Sequence, residues 1–255
     1  MNIAVLGAAG WLGRAVLANL EGKHQVRAFD GAEDYWHAWE DVDGMWQGEK
    51  INGDIADFAT VDAVLEGTDA VIHTAVHSSR APGAYGDDDP QPFLVNLKGL
   101  WNVLEAARRR GLRRVVHVGS CQTVHPQGRY FDGETRRPDG SPYAVSKRLQ
   151  EEMCRQFHEA HGLSVAVLRP DYIVDSRLGI GRGREKLGPG GSRRRNGWVC
   201  RHDLAEACRL AAEKEEIGFE ALHVVGTPEA AHSCNVGRTR RLLGLEFKGN
   251  LEQYR

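Results

Sequence analysis

The 255-residue sequence contains no apolar run approaching the roughly 18–20 residues that a membrane-spanning helix needs. It also lacks an excess of charge of either sign. Lys plus Arg number 33 and Asp plus Glu 35, a formal net charge of −2. That balance argues against a chain built chiefly to hold nucleic acid or an anionic membrane. No C-x-x-C pair occurs among the five cysteines, Cys121, Cys154, Cys200, Cys208 and Cys234. An odd count without paired spacing speaks against a disulfide framework and against a structural zinc, so a reducing cytoplasm and no metal are expected. Met1-Asn2-Ile3-Ala4-Val5-Leu6-Gly7 has no basic segment ahead of its apolar residues, so no signal peptide is expected. Repeats and low-complexity tracts are absent. With 41% apolar and 27% charged residues, the composition is that of an ordinary globule with ample core.

What is present is an alternation of short apolar runs with longer helical patterns, which implies a parallel sheet covered on both faces. Strands are expected at 3–6, 25–29, 70–75, 115–119, 165–168 and 221–225. Helices are expected at about 11–20, at 93–110 with Leu97, Trp101 and Leu104 on one face, and at 143–160 with Val145, Leu149, Met153 and Phe157 four apart. Gly111 should end the second of these, after three arginines suited to the negative end of the helix dipole. A last helix should start near Asp203 as its N-cap. Residues 78–92 and the Gly/Arg-rich 176–196 read as loops. Residues 34–48 carry Trp36, Trp39 and Trp46 among acids, and local packing is preferred there over an oligomer contact.

Gly7-Ala8-Ala9-Gly10-Trp11-Leu12-Gly13 directly follows one expected strand and opens a helix. Glycines there permit a tight turn and a close backbone approach to a pyrophosphate, which the helix N-terminus then attracts. The second strand ends at Asp30, where a carboxylate can take a ribose 2′-hydroxyl and repels a 2′-phosphate. NAD is therefore expected in preference to NADP, on a Rossmann-type doubly wound sheet. Tyr143-Ala-Val-Ser-Lys147 puts a phenol and an ammonium on one helical face. The ammonium would lower the phenol's pKa and suit it to act as a base, with Ser120 as a second oxygen on the substrate hydroxyl.

These motifs, with Gly53-Asp54-Ile55, Val71-Ile72-His73-Thr74-Ala75, Asn96-Leu-Lys-Gly99, Gly119-Ser120 and Leu168-Arg169-Pro170, fall in the order of a known family. The chain resembles the extended short-chain dehydrogenase/reductases, the NAD-dependent epimerase/dehydratase group, over nearly its whole length. The resemblance implies that Ser120, Tyr143 and Lys147 are catalytic and that Asn96 supports a proton relay. It implies cofactor contacts from Gly7, Gly10, Trp11, Leu12, Gly13, Asp30, Asp54, Ile55, His73, Thr74, Ala75, Tyr143 and Lys147. Cys121-Gln122 and Val124-His125 depart from the family's usual residues.

A narrower likeness is to uronate dehydrogenase-like members, carried by Ser78, by Arg137-Pro138-Asp139-Gly140 before Tyr143, and by Trp198 ahead of Asp203. It implies a sugar or sugar-acid substrate met by Ser78, Ser120, Cys121, Gln122, Tyr172 and Arg193, with Arg193 as the carboxylate clamp and Arg194 or Arg195 as substitutes. The expected organisation is a single domain over 1–255, with 171–200 and 226–255 forming a small substrate-binding region.

Three activities compete. A dehydratase needs an acid–base pair that Cys121-Gln122 does not supply, and the roughly 85 residues after Pro170 leave an epimerase little room for a nucleotide-sugar. A non-catalytic dinucleotide sensor has no need of Ser120, Tyr143 and Lys147 together. The reading taken is an NAD-dependent oxidoreductase of CH–OH groups, with a sugar epimerase or a sensor as alternatives. His73, His77, His117 and His125 read as core or cofactor-adjacent histidines and not as a metal set. A homodimer or higher homo-oligomer is expected through the helices carrying Asn96 and Tyr143.

Overall fold

A computed structural model describes residues 1–77, 90–112, 114–125, 138–193, 195–215 and 217–255. Its centre is a seven-stranded, wholly parallel sheet of β1 (Asn2–Leu6), β2 (Gln25–Asp30), β3 (Lys50–Asn52), β4 (Ala70–His73), β5 (Val115–Val118), β6 (Val165–Arg169) and β10 (Phe219–His223). The order β10-β6-β5-β4-β1-β2-β3 reverses direction between β4 and β1. This is the expected α/β doubly wound sheet of Rossmann type, and ligands bind beyond the strand ends at such a reversal. β4, β5 and β6 are buried along their whole length, which is why they read as continuous apolar runs.

Helices cover both faces. On one side α1 (Trp11–Leu20) packs with α7 (Arg201–Glu213). On the other lie α3 (Phe58–Val64), α5 (Gly99–Arg109) and α6 (Pro142–His161). The expected 93–110 helix is a composite. A short α4 (Gln91–Phe93) leads into a π-helical stretch (Leu94–Lys98) that carries Asn96, and α5 follows. Gly111 ends it at φ +70°.

Some expectations need correcting. The buried face of α6 is Ala144, Lys147, Gln150, Glu151, Cys154 and Phe157, whereas Leu149 is 46% exposed. Trp101 of α5 is likewise 47% exposed; Leu104 of the expected face is buried, and Leu100 and Val103 fill the core beside it. Asp203 does not cap α7, whose N-cap is Cys200. Its carboxylate accepts from the backbone amides of Lys248 and Gly249 and so anchors the C-terminal segment. The Gly/Arg-rich stretch is partly strand: β8 (Ile180–Gly181) pairs with β7 (Tyr172–Asp175), which pairs with β9 (Trp198–Cys200) in a small second sheet.

Residues 34–48 pack locally, as a 3-10 turn (Glu33–His37) followed by α2 (Glu40–Asp43). Trp36 is fully buried and its Nε1 donates to Asn52 Oδ1 at 2.9 Å, while the Trp39 ring lies 4.5 Å from that of Trp11. The final helix is α8 (Val236–Leu243).

Candidate active site

The turn from β1 into α1 is built by glycine. Gly7 has φ +86°, and a Cβ there would lie 2.4 Å from the Ala75 amide nitrogen. One on Gly13 would lie 2.1 Å from Gly7 O. The turn is clamped to the end of β4, since Thr74 and Ala75 N–H donate to Leu6 O and Thr74 Oγ1 donates to Leu6 O and Gly7 O. α1 begins with Gly10 as N-cap, no side-chain cap and no acid in its first turn, so its positive end is left to attract an anion. Asp30 accepts from Ala9 N at 2.8 Å and Gly31 N at 2.7 Å, and burial pushes its carboxyl above the usual range. A cradle that any side chain would fill, facing a helix N-terminus and ending at a carboxylate, fits a dinucleotide.

This cradle is one wall of a cavity of about 990 Å³. That is at the upper end of the roughly 300–1,000 Å³ common for small-molecule sites. Gly7, Gly10, Trp11, Leu12, Gly13, Asp30, Asp54, Ile55, Thr74 and Ala75, the residues expected to meet a cofactor, all line it. Ser120, Gln122, Tyr143 and Lys147 line the opposite wall. Ser120 Oγ accepts from Gln122 N at 3.1 Å, which orients the hydroxyl at the end of β5. Lys147 is buried; its Nζ donates to Val118 O at 2.9 Å and lies 6.0 Å from the Tyr143 ring centroid. Burial pushes the Lys147 pKa down to about 7, so at neutral pH the ammonium that was to assist Tyr143 is only partly populated.

His73, Cys121 and Asn96 do not line the cavity. His73 is fully buried, with its Nδ1 2.9 Å from Nδ1 of His117, and burial pushes its pKa down to about 3. Both imidazoles are then neutral, one donating and one accepting. Cys121 is buried behind Ser120, its Sγ 3.2 Å from Arg169 O. Asn96 acts one layer back: Nδ2 donates to Ser146 Oγ and His77 O, and its backbone carbonyl accepts from Gln150 Nε2 at 2.6 Å. The π-helical register turns this asparagine inward.

The third part of the cavity comes from the small sheet, through Asp171, Tyr172, Ile173, Arg182 and Arg195. Among the described residues none from 226–255 lines it, so only the 171–200 half of the expected substrate region reaches the cavity. Tyr172 Oη donates to Glu185, and burial together with that carboxylate pushes its pKa up to about 12. Arg195 Cζ is 5.4 Å from the Tyr172 ring centroid. Arg193 is exposed and lies outside the lining, whereas Ser78 and Arg194 lie outside the described residues. Sequence reasoning missed Trp39 and Arg182 as wall residues. Their signal was a tryptophan among acids and one arginine among many.

The model of the NAD dependent epimerase/dehydratase family matches residues 3–224. Sterol demethylase protein B of Methylococcus capsulatus is 34% identical over 182 residues, covering 68% of this chain and 52% of that protein. Uronate dehydrogenase of Pseudomonas putida is 29% identical over 172 residues, covering 66% of this chain and 59% of its own. The matches thus span between half and three fifths of these two curated relatives. Among solved structures, a short-chain dehydrogenase/reductase superfamily protein from Agrobacterium tumefaciens with bound NAD superimposes with a TM-score of 0.78 at 24% identity, covering 100% of this chain and 94% of that one. The chain belongs to the NAD dependent epimerase/dehydratase family.

Proposed function

We propose that the protein is an NAD-dependent oxidoreductase that oxidises a CH–OH group of a sugar acid, in the manner of a uronate dehydrogenase. One observation carries this reading. The glycine cradle with Asp30, the Ser120–Tyr143–Lys147 wall and an arginine-bearing third wall all open onto one cavity. When bound, NAD supplies the hydride acceptor at its nicotinamide ring. Ser120 Oγ and Tyr143 Oη hold the substrate hydroxyl, and Tyr143 takes its proton as the C–H leaves as hydride. Lys147 positions Tyr143 and biases it toward the phenolate whenever it carries its own proton. Asp30 accepts from the adenosine ribose hydroxyls, which favours NAD over NADP.

At the far wall the carboxylate-binding role falls to Arg195, backed by Arg182, because Arg193 is outside the lining. Its fork can donate two parallel hydrogen bonds to a carboxylate, and the Tyr172 ring limits where it can point. The match to uronate dehydrogenase of Pseudomonas putida supports the same substrate class. The test compares glucuronate and galacturonate with the corresponding neutral sugars in wild type and in Arg195→Met. Loss of one charge-assisted pair, about 1.5–3 kcal/mol, should lower kcat/KM for the acids by roughly 10–100-fold and leave neutral sugars unchanged. Equal turnover of acids and neutral sugars in wild type would remove the sugar-acid assignment.

A further inference from the structure

A second cluster of chemically able side chains is buried behind the Ser120 turn, outside the lining of the cavity that the proposed reaction uses. Cys121 follows Ser120, His223 ends β10, and Cys234 precedes α8. The two sulfurs and a ring nitrogen of His223 all lie within 4.8 Å of one another, and all three side chains are buried. His125 stands beside them: its Nε2 donates to Ser233 O at 3.1 Å and lies 3.8 Å from Cys234 Sγ, and its ring centroid is 5.7 Å from that of His223. By contrast, Cys154 and Cys208 are buried in the aliphatic clusters on either face of the sheet.

We propose that Cys121, Cys234 and His223 form a binding site for a zinc-class d10 cation, with water in the fourth position. The donor set, two soft thiolates with imidazole, is the one that selects such ions. At Zn–S and Zn–N lengths of about 2.3 and 2.0–2.1 Å, tetrahedral ligand atoms stand on the order of 3.5–3.8 Å apart. The observed spacing of up to 4.8 Å needs a contraction of about 1.3 Å at most. Binding displaces one proton from each thiol, and the two thiolates cancel the divalent charge in this buried place. The supporting shell is already built. His223 Nδ1 is 3.0 Å from Asn235 Oδ1, while Asn235 Nδ2 donates to Ala221 O at 2.9 Å. This fixes the ring and leaves Nε2 as its other nitrogen. An ion there would staple the Ser120 turn, the end of β10 and the C-terminal segment together.

Zinc-type spacing is absent because Cys121 lies more than a hundred residues before His223 and Cys234. The test titrates Co²⁺ into the reduced full-length protein without oxygen. The expected result is one Co²⁺ per chain, with a thiolate-to-cobalt charge-transfer band and the strong visible bands of a tetrahedral ion, displaced by one equivalent of Zn²⁺. Cys234→Ser and His223→Gln should lose these bands, and Cys208→Ser should keep them. Absence of the bands in folded wild type would overturn the proposal, as would their survival in both ligand variants. A second reading on wild type alone is competition for Zn²⁺ against a chromophoric chelator. One Zn²⁺ per chain taken from the chelator supports the site, and none taken overturns it.

Discussion

Asp30 is held by two backbone donors, Ala9 N and Gly31 N, so its carboxylate cannot swing away from whatever occupies the end of β2. A 2′-phosphate brought there meets a fixed negative charge, at a cost on the order of 1–3 kcal/mol. Asp30→Ser should therefore narrow the ratio of NADP to NAD dissociation constants by at least about tenfold, measured by titration of each cofactor. An unchanged ratio would mean that another residue reads the ribose. This position was legible in the sequence because it depends on local order alone: strand, glycine turn, helix, strand, acid. The Cys121–His223–Cys234 cluster was not legible, because Cys121 lies more than a hundred residues before His223 and Cys234 and meets them only through the order of the sheet.

At the scale of elements, the composite helix and α6 leave an apolar face outside the core. Trp101 and Leu149 are each about half exposed, and Phe93 and Leu94 are similarly bare. The Trp101 ring packs edge-on to Phe157 at 5.1 Å, joining the two helices at that surface. Such a face fits the homodimer proposed through these helices. Trp101→Glu should shift the protein to monomer in sedimentation velocity, and a wild type already monomeric at high micromolar concentration would contradict the dimer. The same face explains why the apolar periodicity of α6 does not coincide with its buried side. That side carries Lys147, Gln150 and Glu151, the last in an ion pair with Arg169 at 2.6 Å, whereas within the apolar stripe Leu149 is exposed, Met153 packs partly buried against the core and Phe157 is buried. Strands β1, β4, β5 and β6 were legible because burial on both faces leaves runs of apolar residues, while β2 and β10 are only partly buried. β7, β8 and β9 were not legible, since four, two and three residues among glycines and arginines carry no such run.

For the molecule as a whole, the cavity spans the point where the sheet reverses, and its three walls come from distant parts of the chain. A buried lysine is the cost of that arrangement. Lys147 titrates near 10.4 when unfolded and is pushed down to about 7 by burial in the folded chain. Between pH 7 and 10 the unfolded state therefore holds a proton that the folded state lacks, so this contribution makes stability rise with pH across that window. Below pH 7 the folded lysine is charged as well, and the burial penalty is at its full. The stability of wild type minus that of Lys147→Met should thus increase from pH 7 to pH 9.5 in denaturant titrations. A difference independent of pH would contradict the assignment. The central claim, that the cavity's opposite wall performs acid–base chemistry on a substrate hydroxyl, rests on one oxygen. Tyr143→Phe removes that oxygen and little else, so the decisive measurement is NAD affinity and kcat in this variant against wild type, with a sugar acid as substrate. The account predicts a nearly unchanged dissociation constant for NAD and a fall in kcat of about 10²–10⁴-fold; a Tyr143→Phe variant that turns over at the wild-type rate would contradict it.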